Sequence, residues 1–192
     1  ITSVGNNTFE KITTLKTIEW NEEITTIGNN AFSGCVSLGN QELKSSVKTI
    51  GSNAFSGCSN MKSIQLNKVE TIGSNAFASS GLTSIVITEN VNVIQEKAFA
   101  SCTNLTTFEY PNKEITFETN ILEGCSGLKT IKINGEGNMI NFESDKQPWN
   151  SVRNSIETVT FADGIKSIGN NAFEKITSLK TIEWKNIASI GN

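Results

Sequence analysis

Residues 50–64 read IGSNAFSGCSNMKSI, and most of this string returns along the chain. Ile-Gly-x-Asn-Ala-Phe stands at residues 27–32, 50–55, 72–77 and 168–173, with looser copies ending at Phe9 and Phe99. Leu122 and Trp149 fill the aromatic column in two degenerate copies. Successive members of this column lie 23, 23, 22, 22, 23, 27 and 24 residues apart. Such a fixed period is the signature of a solenoid, in which each repeat is one coil and neighbouring coils supply the burial that a lone coil lacks.

Six residues after each aromatic begins a second element, Leu-x-x-Ile-x-apolar. It reads Leu15, Ile18, Trp20 in the first coil, Met61, Ile64, Leu66 in the third and Leu128, Ile131, Ile133 in the sixth. The last two positions are two apart and share one face of a strand. The first two are three apart, so the chain bends between them and the strand begins after the Leu. A shorter pair, such as Ile24 with Ile27 or Val47 with Ile50, leads into the Gly and reads as extended chain on the opposite side of the coil. Gly28, Gly51, Gly73 and Gly169 then serve either a positive φ or a close backbone approach. Ala-Phe-x-x-Cys reads as one short helical turn.

The expected architecture is therefore a repeat solenoid of about eight coils of 22–24 residues, within the leucine-rich-repeat period. A parallel β-sheet lines one face, with short extended segments and single helical turns on the other. Residues 1–192 form a single array with an irregular unit at 135–155. The chain opens and closes inside a repeat, which reads as a fragment of a longer array with apolar edges that favour end-to-end self-association.

Strand alternation places two columns outward from the long sheet. One runs Thr17, Asn40, Ser63, Ser84, Thr107, Thr130, Thr158, Thr181; the other runs Glu19, Glu42, Gln65, Val86, Glu109, Lys132, Thr160, Glu183. Two readings stand for this face: a solvated surface of β-compatible hydroxyls, or a ligand platform of the kind curved solenoids present. The stretched unit has the same two-sided reading. It is a degenerate coil with Trp149 in the Phe column, or an insertion that builds a site from Asp145, Trp149 and Arg153.

Cys35, Cys58, Cys102 and Cys125 each fall three residues after the aromatic column, where other coils carry Ile12, Ser80, Val152 and Ile176. A position that accepts Ile or Val is an interior packing site, so free buried thiols are expected; disulfides Cys35–Cys58 and Cys102–Cys125 between adjacent rungs are the alternative. The chain contains no His and no clustered Cys, so no metal site is expected. No nucleophile-plus-base constellation or phosphate-cradling loop is present either, which leaves no cofactor and no enzyme reading. A net charge of -3 gives no footprint for nucleic acid. No apolar run approaches the roughly 20 residues of a membrane span. Asn6-Asn7-Thr8 and Asn104-Leu105-Thr106 match the glycosylation triplet, which an Asn- and Thr-rich chain produces by chance.

The pattern Ile-Gly-x-x-Ala-Phe-x-x-Cys-x-x-Leu-x-x-Ile, complete over residues 50–64, resembles the BspA-like class of leucine-rich repeats. Proteins of that class are often surface or secreted proteins of mucosal bacteria and parasitic protists. The resemblance implies a non-enzymatic module that binds a protein or glycan at the cell surface, as in adhesion to host matrix. A structural spacer and an intracellular recognition scaffold are the alternatives. The chain departs from ordinary leucine-rich repeats in lacking the Asn after the strand, and from its own class at residues 115–122, where Glu118 replaces the Gly.

Overall fold

The computed structural model describes residues 1–191, which wind into a parallel β-solenoid with a single continuous apolar interior. The short extended pairs form a six-stranded parallel sheet: Ser3–Val4, Thr26–Ile27, Thr49–Ile50, Thr71–Ile72, Val93–Ile94 and Thr116–Phe117. Each residue sits opposite its repeat equivalent, as with Thr26, Thr49 and Thr71. The long face carries Ser84–Val86, Thr107–Pro111, Thr130–Asn134, Thr158–Phe161 and Thr181–Glu183 in one parallel sheet, and Gln41–Glu42 with Ile64–Gln65 in a separate pair. Glu136–Asn138, Gly164–Ile168 and Ser189–Ile190 make a third sheet beyond the irregular unit. Sheet structure thus lies on both faces rather than one. The physical reason is that a closed coil must pair its backbone N–H and C=O groups all the way round.

The aromatic column fills the interior. Phe9, Phe32, Phe55, Phe77 and Phe99 stack at centroid spacings of 5.2, 5.4, 5.6 and 5.4 Å, with rings within 11° of parallel. That separation is set by the coil-to-coil ladder, about 4.7–4.9 Å between hydrogen-bonded strands. Ala31, Ala54, Ala76 and Ala98 are buried beside it.

The expected single helical turn is not there. In its place run linked reverse turns, for instance Ala31 N–H to Gly28 O (3.3 Å), Ser33 N–H to Asn30 O (3.1 Å) and Cys35 N–H to Phe32 O (3.1 Å). Two positions of this segment are left-handed in coil after coil. Asn30, Asn53 and Asn75 have φ of 54–56°, and Gly34 and Gly57 have φ of 72°. Asn tolerates this region better than other side-chain-bearing residues, so the Asn of Ile-Gly-x-Asn-Ala-Phe is a backbone requirement. These alternations free every second N–H to reach the next coil: Asn30, Phe32 and Gly34 donate to Ser52, Ala54 and Ser56 carbonyls at 2.8, 2.8 and 2.7 Å. Among the described residues the one helix is a 3-10 segment, Asn150–Ser155.

The Gly before that Asn serves close approach, not positive φ. A Cβ on Gly73 would lie 2.6 Å from Gly51 C and Ser52 N in the preceding coil.

Candidate functional site

The outward columns of the long sheet are where alternation places them. Ser84, Thr107, Thr130, Thr158 and Thr181 are direct ladder partners, as are Val86, Glu109, Lys132, Thr160 and Glu183. Thr17, Glu19, Gln65, Thr181 and Glu183 are exposed, and Ser63, Ser84, Thr107, Glu109, Thr130 and Lys132 are half-buried. Thr17, Glu19 and Ser63 lie outside any strand, and Gln65 lies in the separate Gln41–Glu42 and Ile64–Gln65 pair, so the five-stranded ladder joins only the members from Ser84 onward.

Electrostatics divides the second column. Lys132 Nζ meets Glu109 Oε1 at 3.3 Å, and Asn134 Nδ2 donates to Glu109 Oε2 at 3.0 Å, so the Glu109 charge is satisfied within the sheet. Glu19, Glu42 and Glu183 have no ion pair among the described residues. The hydroxyls of Ser84, Thr107, Thr130, Thr158 and Thr181 make no hydrogen bond among the described residues, although Thr83 and Thr106 next to them bond back to Lys62 and Thr83 carbonyls. The result is a row of unengaged hydroxyls at ladder spacing, each with one donor and two acceptor sites.

In the irregular unit, Trp149 is an interior residue, 1% exposed, and drops out of any ligand-contacting set. Its Nε1 donates to Ala172 O at 3.0 Å and its ring stacks on Phe173 at 5.3 Å. Asp145 and Arg153 remain at the surface and bond each other at 2.6 Å, while Lys175 approaches Asp145 from the next coil at 2.5 Å. The Lys175 and Arg153 hydrogen bonds hold the Asp145 carboxyl below its ordinary range. These charges clamp two coils together, a role sequence spacing did not reveal because the partners are 8 and 30 residues apart.

Asn112 is a bridging position that sequence reading missed. Its Nδ2 donates to Glu136 O and Asn138 O at 2.9 and 3.0 Å, and its Oδ1 accepts from Ile140 N at 3.1 Å. One side chain thus substitutes for a stretch of ladder where the irregular unit departs from register.

All four cysteines are free and buried. Each Sγ donates to the aromatic-column carbonyl of the preceding coil: Cys35 to Phe9, Cys58 to Phe32, Cys102 to Phe77 and Cys125 to Phe99, at 3.0, 3.3, 3.1 and 3.1 Å. Among the described residues no cluster of His, Cys, Asp or Glu could hold a metal ion, and no helix is long and apolar enough to cross a membrane.

Stacked coils of this period, a Phe spine and register-matched parallel ladders define a leucine-rich-repeat solenoid. Residues 1–106 and 149–192 match the BspA type leucine rich repeat region in 6 copies, and the chain belongs to that family. No curated protein matches it. Among solved structures it is similar to a leucine-rich repeat protein from Bacteroides ovatus, at 17% identity and TM-score 0.55, over 100% of this chain and 66% of that one. It is similar to the leucine rich repeat protein of T. pallidum at 24% identity and TM-score 0.57, over 80% and 73%. A leucine rich cell surface protein from Faecalibacterium prausnitzii gives 21% identity and TM-score 0.51, over 95% and 64%. These likenesses show the fold, and the chain spans about two thirds of the first and third of those proteins. The family match omits residues 107–148, the part of the array that holds Asn112 and the departure from register.

Proposed function

We propose that this protein is a non-enzymatic interaction module that presents its long-sheet face to a protein or glycan ligand at the cell surface or in a secreted form. The observation that carries this reading is the row of unengaged hydroxyls from Ser84 to Thr181, flanked by the unpaired carboxylates of Glu19, Glu42 and Glu183. Hydroxyls fixed on a rigid ladder bind with little loss of side-chain entropy, which favours polar ligands. The surface location is supported by the family and by a structural neighbour described as a cell surface protein.

The test is a binding panel of matrix proteins and glycans, followed by Thr107→Val, Thr130→Val and Thr158→Val combined. Valine keeps the strand shape and removes the hydroxyls. Loss of binding with an unchanged far-UV spectrum supports the platform; undiminished binding refutes it. Replacing Glu19, Glu109 and Glu183 together with Lys tests the acidic part of the face in the same assay.

A further inference from the structure

The ladder that seals every earlier pair of coils is missing after residues 114–124. In the regular array, the carbonyls of Thr25 and Ile27 accept from Lys48 and Gly51 of the next coil, each at 2.8 Å. The equivalent carbonyls of Ile115 and Phe117 accept nothing among the described residues. On the turn side, the N–H groups of Asn120, Leu122 and Gly124, equivalent to the bonded Asn30, Phe32 and Gly34, likewise have no partner among the described residues. Thr116–Phe117 is therefore an open edge of the six-stranded sheet, at the far side from Ser3–Val4. Open edges are usually blunted or covered, because they are templates for another strand.

Two hollows lie against this edge, of about 490 and 260 Å³, sharing Phe117. The larger falls within the roughly 300–1,000 Å³ of ordinary ligand pockets. Tyr110 and Phe142 line it from the interior side. The opposite wall, residues 140–151, is held away from the edge by bonds to the other side: Phe142 N–H to Asn170 O at 3.0 Å, Trp149 on Phe173, and Asp145 to Lys175. Asn112 fixes one mouth.

Charge selects the occupant. Glu114 and Glu143 line the larger hollow and Glu118 the smaller, and none of the three has an ion pair among the described residues. Asp145 is already neutralised by Arg153 and Lys175, leaving Lys146 as the cation on the walls. We infer that this cleft takes an extended segment of a partner protein bearing alternate lysine or arginine, which adds as a strand to Thr116–Phe117. Main-chain hydrogen bonds to the open carbonyls and N–H groups supply affinity, and the three carboxylates supply selectivity. This surface is separate from the long-sheet platform, so either can fail without the other.

The experiment titrates the intact chain with a labelled peptide of alternating lysine and valine. Its controls are the alternating glutamate–valine peptide and a lysine–valine peptide N-methylated at every second residue. Expected is binding of the first at least about tenfold tighter than either control, with new hydrogen-exchange protection at Asn120, Leu122 or Gly124. Glu114→Gln, Glu118→Gln and Glu143→Gln combined should weaken binding about tenfold; Gln at 118 keeps an acceptor for the Glu96 N–H now bonded there at 3.0 Å. Equal binding of the N-methylated peptide, or no loss in the triple variant, overturns the inference. So does a sedimentation experiment in which the edge is already occupied by a second copy that the peptide does not displace.

Discussion

Cys58 hands its thiol hydrogen to the carbonyl of Phe32, 3.3 Å away in the coil before it, and thereby ties the aromatic spine of one repeat to the turn of the next. Burial pushes the Cys58 thiol up to about 12 and raises that of Cys35 as well. Since the thiolate is the reactive species, Cys35 and Cys58 should stay unmodified by a thiol reagent at pH 8 in the native protein, whereas the hydrogen bond from Cys125 lowers Cys102 and leaves burial alone to protect it. Denatured and unreduced protein should release four. Fewer than four in the denatured state would mean that some are oxidised.

The Phe spine predicts a loss of stability for two opposite changes of size in the same column. Phe55→Ala removes a ring stacked on both sides and should cost roughly 3–5 kcal/mol in chemical denaturation. Leu122→Phe restores the repeat consensus, yet Leu122 is fully buried where Phe108, Tyr110 and Phe142 carry the aromatic contacts across to Trp149. Overpacking there should destabilise by about 1–3 kcal/mol. A stabilised L122F would show that the interior has room for the missing ring.

Backbone requirements separate Gly73 from Asn53. Gly73→Ala pushes a methyl into backbone atoms of the preceding coil and should destabilise by about 1–3 kcal/mol. Asn53→Gly should be nearly neutral, because glycine adopts the φ of 56° without strain, whereas Asn53→Val should cost about 1–2 kcal/mol. Thermal melts of the three variants give the order directly; equal effects of Gly and Val at 53 would contradict it.

Acid should loosen the clamp on the irregular unit. The hydrogen bonds from Lys175 and Arg153 depress the Asp145 carboxyl in the folded chain. A group depressed on folding stabilises the fold above its unfolded value, about 3.9 for Asp, and loses that contribution as pH falls through the folded value. Wild type and D145N should therefore differ most at neutral pH and converge as pH falls through the depressed folded value. A gap that stays constant down to pH 2 would assign the effect to something other than the charge.

Repeat period, interior columns and the outward Ser, Thr and Glu columns were legible in the sequence because each follows from strand alternation and a fixed coil length. Asn53 was legible as a motif position but its role was not, because a left-handed φ leaves no trace in hydrophobic pattern. The Asn112 bridge and the Asp145–Lys175 half of the clamp were illegible for another reason: those partners lie more than a coil away in sequence, and only coil stacking brings them into reach.

Residues 9–20 and 173–184 differ at one position, Thr14 against Ser178, so the sequence alone commits both to the same coil. Their surroundings decide the rest. Trp20 donates Nε1 to Gln41 Oε1 at 2.9 Å and meets Phe32 edge-on at 5.8 Å, contacts that belong to the following coil. A coil's own residues specify its path, but its burial and its ladder bonds depend on its neighbours. Tertiary structure therefore decides where the stack is sealed and where, at Thr116–Phe117, it is left open.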